Sequence, residues 1–314
     1  MDKTIQEKFS RIACHLDEKA RRLWCANEAM VIGWGGISHV SESTGVSRTT
    51  ITEGIKELNG RKKIPQGKIR HRDKQFRLIN EKATQFIQTR QPVISVDTKK
   101  KEKIGAYKNE GQEYAPKGHP VNVNMHDFPD KELGKVAPYG VYDLSLNTGW
   151  VNVGISSDTA EFAVNSIRKW YEKMGKNAYP KAKKIFITAD CGGSNGNRTK
   201  LWKIELQKLA DELKKEIHVS HFPPGTSKWN KIEHRMFSFI TKNWRGKPLA
   251  TRATVVNLIA NTTTEKGLKI LAEIDENIYE AGIQVSEEEL AQVSLYRYKF
   301  HGEWNYKISP IWKK

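Results

Sequence analysis

The chain has 314 residues, 38% of them hydrophobic, and its 53 lysines and arginines against 36 aspartates and glutamates give a formal net charge of +17. No apolar run approaches the ~18 residues of a membrane-spanning helix, the first residues lack the apolar segment of a secretion signal, and three scattered cysteines exclude a disulfide framework. These features predict a cytoplasmic, nucleoid-associated protein with no membrane partner, because the excess of positive charge favours nucleic acid as the partner.

The first sixty residues predict a small all-α unit. Apolar positions spaced close to 3.6 residues predict a helix over 16–34 that ends at Gly33. Two short helices then flank Gly45, and the second is capped by Ser47 and runs to about Leu58. This arrangement is typical of a helix-turn-helix, with an ordinary helical hairpin as the alternative. The second helix would present four side chains to a DNA major groove: Arg48, Thr49, Thr50 and Thr52.

Residues 61–91 are predicted to form a basic linker followed by a helix. The segment up to residue 75 is poor in apolar residues and is interrupted by Pro65 and Gly67, which is typical of a linker that can lie on phosphates. A short helix is predicted over about 76–89. This linker separates the helical unit at 1–60 from the rest of the chain.

From residue 92 the pattern alternates between strands and helices, which predicts an α/β domain over 92–250 with residues 251–314 packed on it as an extension. Two apolar runs rich in β-branched residues, PVISVD and KKIFITAD, predict buried strands. The further predicted elements are strands at 138–145, 149–155 and IHVSHF, a helix capped by Asp158 and closed by Gly175, a helix around WKIELQKLADELKKE, and a helix from Ser227 to Trp244.

Each of the two buried strands is predicted to end in an acid. Asp97 ends the first and Asp190 the second, and in α/β sheets ligands bind in the crevice at the carboxyl ends of the strands. If the strands are neighbours, the two carboxylates converge, and like charges beside an apolar core repel unless protons or cations intervene. A pair of Mg²⁺ ions would remove that repulsion and could clamp both oxygens of an in-line phosphoryl displacement.

The helix predicted at SKWNKIEHRMFSFITKNW supplies a third carboxylate. Its apolar stripe is predicted at Trp229, Ile232 and Met236. Asn230 and Glu233, three residues apart, would then lie side by side on an adjacent face. Glu233 would complete the metal site, with Asn230 in a supporting position beside it.

Other polar residues are alternatives or neighbours of this site. Asp143 is the second choice among the acids because it lies in a strand pattern, whereas Asp127 precedes Phe-Pro and indicates a turn. His218 and His221 could assist proton transfer, but histidines in strands are more often hydrogen-bonded structural residues. Lysines that follow Asp97 or flank Glu233 are predicted to hold DNA phosphates: Lys99, Lys100, Lys101, Lys228 and Lys231.

Four stretches, SVDTKKKE, ITADCGGSNGNR, HFPPGTSKWNKIEHRMFSFI and FHGEWNY, resemble the DDE transposases of bacterial insertion sequences, and among them the Rhodopirellula or ISAzo-type group. The similarity runs through nearly all of residues 70–308. It implies a ribonuclease-H-like core, a mixed sheet flanked by helices, and places the acidic triad of the family at Asp97, Asp190 and Glu233. The N-terminal helix-turn-helix of the family falls on GGISHVSESTGVSRTTI.

The resemblance implies a reaction in two parts on double-stranded DNA. Water activated by two Mg²⁺ ions, for which Mn²⁺ can substitute, would hydrolyse a phosphodiester at an element end, and the freed 3′-OH would then attack target DNA. Synapsis of two ends implies a homodimer. The alternatives are a non-catalytic DNA-binding regulator derived by deletion and a ribonuclease-H-type nuclease that cuts without regard to element ends.

The chain departs from this family at two places. Members usually carry a long further segment, with a second helix-turn-helix-like unit, between the first DNA-binding unit and the catalytic strand, where this chain has only RKKIPQGKIRHRDKQF. The resemblance therefore implies an internally deleted copy. Cys191 stands where the family is expected to have a glycine beside the middle Asp, and an exposed thiol at that place could be oxidised.

Overall fold

The computed structural model describes residues 3–59, 66–112, 114, 116–119, 121–124 and 134–312, and for residues 3 and 66–70 it describes the backbone alone. The chain divides into two compact units, residues 1–72 and 73–314. Within the described ranges, no helix is both long enough and apolar enough to cross a membrane.

The first unit is all α, and the predicted pair of short helices around Gly45 is confirmed. Gly45 has a φ of 72°, which favours glycine, and Ser47 caps the next helix by accepting a hydrogen bond from the Thr50 N–H. The predicted helix stop at Gly33 is also confirmed, and one helix before residue 16 was not predicted. The helices are α1 (Lys3–Ile12), α2 (Glu18–Ile32), α3 (Gly36–Thr44) and α4 (Arg48–Leu58), with a 3₁₀ turn at Ala13–His15.

The core of the first unit is narrower than the apolar pattern predicts. Five side chains from all four helices pack together in its centre: Ile5, Cys25, Ala29, Val40 and Ile51. Met30, Ile32 and Leu58 continue the apolar spacing but are exposed. Periodicity therefore located the helices correctly and overestimated the width of their buried faces.

The second unit is built on one mixed sheet. Its strands, in the described part of the chain, are β1 (Val93–Thr98), β2 (Glu102–Lys103), β3 (Lys135–Asp143), β4 (Thr148–Gly154), β5 (Lys184–Ala189), β6 (Glu216–His221), β7 (Lys269–Asp275), β8 (Leu295–Arg297) and β9 (Asn305–Ile308). The remaining helices are α5 (Gln66–Gln88), α6 (Ala160–Trp170), α7 (Lys176–Ala178), α8 (Lys200–Leu213), α9 (Ser238–Asn243), α10 (Arg252–Ala260) and α11 (Glu287–Ala291).

The strand order is β7-β4-β3-β1-β5-β6-β9-β8, with β2 beside β3. β1 pairs antiparallel with β3, and β3 with β4. On its other side β1 pairs parallel with β5, and β5 with β6. Three antiparallel strands joined in sequence, followed by parallel strands beyond β1, form a ribonuclease-H-like sheet, so the predicted mixed α/β core is confirmed. Strands β7, β8 and β9, which were not predicted, extend this sheet at both ends.

Helices cover both faces of the sheet. On one face, α6 and α8 pack on alternate residues of the central strands, among them Ile94 and Val96. On the other face, α5 packs on Val93 and Phe186, and α9 and α10 pack on the antiparallel strands. Because successive side chains of a strand point to opposite faces, Ser95 and Asp97 belong to the face that carries α5 and α9.

Both predicted limits of the helix between Asp158 and Gly175 are wrong. Thr159, rather than Asp158, caps α6 by accepting a hydrogen bond from the Phe162 N–H. The helix also continues through Gly175, whose φ of −64° is helical, by way of a π-helical turn at Tyr171–Gly175 into α7. The helix was predicted to end at Gly175 because glycine is common after helices. The backbone angles of Gly175 are those of an ordinary helical residue, so they do not end the helix.

Candidate active site

Two of the predicted acids lie at one edge of the sheet. Asp97 is the penultimate residue of β1 and Asp190 follows β5 directly. Since β1 and β5 are parallel neighbours, their carboxyl ends meet at the same edge. Asp97 and Asp190 line a cleft of about 390 Å³. Asp158, which was predicted only as a helix cap, lines the same cleft and accepts a hydrogen bond from the Thr98 hydroxyl at 3.2 Å.

The segment that carries Glu233 is not the continuous helix that was predicted. A 3₁₀ turn at Ser227–Trp229 comes first, and Asn230 then has an extended backbone, with φ −62° and ψ 125°. The helix begins after Asn230 and opens with a π-helical turn at Glu233–Phe237 before α9. Trp229 is 57% exposed and therefore does not belong to the buried stripe.

This helix lies directly on the sheet opposite Asp97. Gly140 of β3 is the pairing partner of Asp97, and a Cβ atom at Gly140 would lie 2.6 Å from the Phe237 ring and 2.8 Å from Ile232 Cδ1. Only a residue without a side chain leaves space for so close an approach. The glycine on β3 therefore determines how near the segment of Glu233 comes to the strand of Asp97.

Asn230 connects the elements that carry the acids. Its side chain is fully buried, and its amide nitrogen donates to Asp190 Oδ1 at 3.2 Å and to the carbonyl oxygen of Val96 at 3.3 Å. Its amide oxygen accepts a hydrogen bond from the hydroxyl of Ser95. The predicted supporting residue is thus beside the acids, although it lies before the helix rather than on one of its faces.

The acids carry strongly perturbed pKa values. Burial, and then the charge of Asp190, raise the pKa of Asp97 to about 8 against the ordinary value of 3.8, and Glu233 adds to this effect. Burial, and then Glu233, raise the pKa of Asp190 to about 6. Burial also raises the pKa of Glu233. Asp190 and Glu233 therefore lie close enough to Asp97 to oppose its ionisation.

The chemistry of this donor set suits a hard divalent cation. In the described ranges, no group of three His, Cys, Asp or Glu side chains is arranged to bind one metal ion. Mg²⁺, however, binds through one or two carboxylates and keeps several waters. The Asp97 and Asp190 carboxylates, which line one cleft, therefore supply the number of protein ligands that such an ion takes.

The predicted DNA-contacting lysines fall into two groups. Lys100 and Lys101 are exposed and line the cleft with Asp97 and Asp190, and Lys228 and Lys231 are exposed beside the segment of Glu233. Lys99 differs because it is buried, pairs with Glu102 at 3.4 Å and lies over the Trp244 ring at 4.4 Å. Of the predicted lysines, Lys99 alone has its ammonium group directed into the protein.

The rejected acids and histidines have structural roles or lie outside the described residues. Asp143 pairs with Ile94, at the opposite end of β1 from Asp97, and accepts hydrogen bonds from Tyr179 and two backbone N–H groups, so it was wrong as a second choice. Asp127 lies outside the described residues. His221 is buried and contacts the backbone carbonyl of Asp190 at 2.8 Å.

The surroundings of Cys191 disfavour its thiolate form. Its side chain is partly buried and its S–H donates to the carbonyl oxygen of Phe222 at 2.9 Å. Burial, and then the charge of Asp190, raise its pKa to about 12. Since the thiolate is the form that oxidants attack, the predicted sensitivity of this position to oxidation is not supported.

In the first unit, the four predicted groove-contacting residues lie on the first turns of α4. Arg48 and Thr49 are exposed, and Arg48 lies 3.6 Å from Glu42. Thr50 and Thr52 are only partly exposed. Their hydroxyls bond to Ser47 and to the carbonyl oxygen of Arg48, respectively.

Solved structures of the Mos1 transposase are similar to this chain. A paired-end complex with the left transposon end is 12% identical, with a TM-score of 0.37, and covers 70% of this chain and 63% of its own. A pre-cleavage Mos1 transpososome is also 12% identical, with a TM-score of 0.38, and covers 70% of this chain and 64% of its own. The chain thus spans less than two thirds of these proteins. Curated protein sequences give no match.

The fold and the site define a mixed α/β protein in which Asp97 and Asp190 lie in one cleft at the carboxyl edge of two parallel central strands. A family model, the Rhodopirellula transposase DDE domain, matches residues 35–310. The chain belongs to this family. The predicted family is therefore confirmed.

Proposed function

We propose that the chain is a DNA transposase that cuts at the ends of an insertion sequence and joins them to target DNA. One observation carries the proposal: in a chain that belongs to a transposase family, the fold brings Asp97 and Asp190 into one cleft and Glu233 within electrostatic reach of both. We propose Asp97, Asp190 and Glu233 as the metal-binding and catalytic set, and two Mg²⁺ ions, replaceable by Mn²⁺, as the cofactor.

The proposed reaction has two steps. In the first, the oxygen of a water molecule bonds to the phosphorus of a phosphodiester at the element end, and the 3′ oxygen leaves and takes up a proton. In the second, this 3′ oxygen bonds to a phosphorus atom of target DNA, and a target 3′ oxygen leaves. Bound Mg²⁺ would supply positive charge at the attacking and leaving oxygens.

The residues of the chain orient the site and the substrate. The Asn230 amide donates to Asp190 and so directs that carboxylate. The exposed Lys100, Lys101, Lys228 and Lys231 can each neutralise a backbone phosphate. Lys99 is proposed to act differently: its buried charge lowers the pKa of Glu233 and so favours the ionised form that a cation needs.

A basic groove continues from the cleft and indicates a path for DNA. Lys100 and Lys101 line both the cleft and this groove of about 260 Å³. Beyond them the groove is lined by Lys103, Lys108 and Lys135. We propose that a strand leaving the acids follows this line of lysines. In the first unit, we propose that Arg48, Thr49, Thr50 and Thr52 of α4 contact a major groove.

The test of the function is cleavage of a duplex that carries the genomic flanks of the gene, with Mg²⁺, with Mn²⁺, or with a chelator. A transposase is expected to make metal-dependent cuts at defined ends and to leave a scrambled duplex intact. Equal cutting of both duplexes would indicate a nuclease without regard to ends. Salt-sensitive binding without any cutting would indicate the deletion-derived regulator. Synapsis of two ends by a homodimer would appear as a two-duplex complex in the same mixtures.

Replacing Lys100 and Lys101 together by glutamine is expected to weaken binding of that duplex several-fold at about 0.15 M salt. Each lysine that holds a phosphate adds about one to the slope of log affinity against log salt, so the slope should fall by about two. Fluorescence anisotropy over a range of salt concentrations measures both quantities.

The matched control is the double change of Lys181 and Lys183 to glutamine. Both lysines are exposed and precede β5, at the opposite end of that strand from Asp190. The net charge changes equally in the two variants. An equal loss of affinity in both would contradict a specific role of Lys100 and Lys101.

A further inference from the structure

Ser95 is a fully buried polar residue on the strand of Asp97. It lies two residues before Asp97, so that both side chains belong to the same face of β1. A buried hydroxyl is destabilising unless it is hydrogen-bonded. Ser95 forms its two side-chain hydrogen bonds with the segment of Glu233, which is more than 130 residues away along the chain.

The first of these bonds caps a helix across the fold. The Ser95 hydroxyl oxygen accepts from the backbone N–H of Ile232 at 3.2 Å. This N–H belongs to the first helical turn, where donors have no partner within the helix. The residue before a helix usually supplies the cap from its own side chain. Here Asn230 has that place, but its side chain points to Val96 and Asp190, and Ser95 caps the helix instead.

The second bond determines which way the Asn230 amide points. The Ser95 hydroxyl donates to the amide oxygen of Asn230, and the amide nitrogen therefore faces Asp190. An amide group has a donor side and an acceptor side. Without the serine proton, the amide could turn over and present its oxygen to the Asp190 carboxylate, and two acceptors would then face each other.

We propose that Ser95 is a positioning residue of the acidic site. Its single hydroxyl holds both the Asn230 amide and the N-terminus of the helix of Glu233, and so sets the placement of Asp97, Asp190 and Glu233 relative to one another. The inference rests on the proposed function, because it takes these three acids as the metal-binding set. Residues that orient metal ligands typically contribute 10–100-fold to metal affinity or activity.

The test is Mn²⁺ binding by the full chain without DNA, measured from the electron paramagnetic resonance signal of free Mn²⁺. Ser95→Ala is expected to bind Mn²⁺ at least about tenfold more weakly than the wild type while its unfolding temperature changes by only a few degrees. The control is Ser220→Ala. Ser220 is also a fully buried serine of the same sheet, but its hydroxyl has no hydrogen-bond partner in the described part of the chain, so Mn²⁺ affinity should not change.

A second pair of variants keeps the test decisive if Ser95→Ala does not fold. Ser95→Thr and Ser95→Val have the same shape, but only threonine retains a hydroxyl. Threonine should preserve Mn²⁺ affinity and valine should lose it. Equal affinity in this pair, or an equal loss in Ser95→Ala and Ser220→Ala, would overturn the proposal.

The route through Asn230 is tested by combining variants. If Ser95 acts by holding that amide, Ser95→Ala in an Asn230→Ala background should weaken Mn²⁺ binding far less than it does alone, since coupled residues are not additive. Fully additive losses would refute this route. A wild-type chain that binds no Mn²⁺ would refute the proposed function itself, whereas wild-type affinity in Ser95→Ala would refute only the positioning role.

Discussion

Glu233→Gln is expected to abolish metal-dependent DNA cleavage, with a rate at least about a thousandfold below that of the wild type. The amide has the shape of the carboxylate but no charge, so it cannot help to hold a cation, and metal ions contribute several kcal/mol to such transition states. Single-turnover cleavage of the end-containing duplex measures this rate, and binding of the same duplex should persist.

The structure offers a closely matched control for this change. Glu172 lies in another π-helical turn, at Tyr171–Gly175, and is exposed. Glu172→Gln therefore makes the same chemical change in the same kind of helical turn and should leave cleavage unaltered. If Glu233→Gln cut at the wild-type rate, Glu233 would not belong to the catalytic set, and Asp158, which lines the cleft, would become the next acid to examine.

Asp97→Asn is expected to stabilise the metal-free protein at pH 8.5. In the folded state the pKa of Asp97 is about 8, against 3.8 ordinarily. The folded state therefore binds this proton more tightly than the unfolded chain does, and the free energy of unfolding falls as pH rises from about 4 to about 8. Asparagine does not titrate and escapes this loss, while its amide oxygen can still accept from the Thr98 N–H, as Asp97 does at 2.8 Å.

Calorimetric scans in the presence of a chelator measure this effect. The unfolding temperature of Asp97→Asn should exceed that of the wild type by several degrees at pH 8.5, because 1 kcal/mol corresponds to about 2–4 °C for a domain of this size. The difference should shrink at pH 5. Added Mg²⁺ should raise the unfolding temperature of the wild type more than that of the variant.

Asp143→Asn provides a control with the opposite sign. Burial also raises the pKa of Asp143, but this carboxylate accepts hydrogen bonds from Tyr179 and from the backbone N–H groups of Ser145 and Leu146. An amide has fewer acceptor positions, so this variant should be less stable than the wild type. Destabilisation of Asp97→Asn by a similar amount at pH 8.5 would contradict the electrostatic explanation.

The strand-end acids could be predicted because their signal is local. Asp97 and Asp190 each follow an apolar run of the length of a buried strand, and parallel strands in a sheet present their carboxyl ends at one edge. Glu233 was predicted from its place in a helix and from the family resemblance, and its role stays a prediction. The extra strands β7, β8 and β9 could not be read in this way, since nothing local in 269–275 or 295–308 shows that they join the same sheet.

The parts that sequence patterns missed depend on contacts between distant segments. Asn230 was placed on a helix because the apolar spacing continues through it, but Ser95 stabilises a helix that begins one residue later. Asp158 and Thr159 are both good caps by type. A hydrogen bond from Thr98 engages Asp158, and Thr159 becomes the cap. Ser95 lies two positions before Asp97, and Thr98 follows Asp97 directly. In the sequence, each of them was visible only as a polar residue close to a predicted site residue.

The π-helical turn at Glu233–Phe237 changes the angular position of Glu233 relative to the core-packing residues that follow it in the same helix. Such a turn contains about one residue more than an α-helical turn, and one residue corresponds to a rotation of about 100° around the axis. The residues after the turn, such as Ile240, can therefore follow the packing of the core, while Glu233, the first residue of the turn, keeps a different angular position. Deleting one residue within the turn would leave a regular helix in which Glu233 is rotated by about 100° relative to the residues after the turn. The extra residue thus acts as a phase shift between the part of the helix that packs in the core and the residue that we propose as a metal ligand.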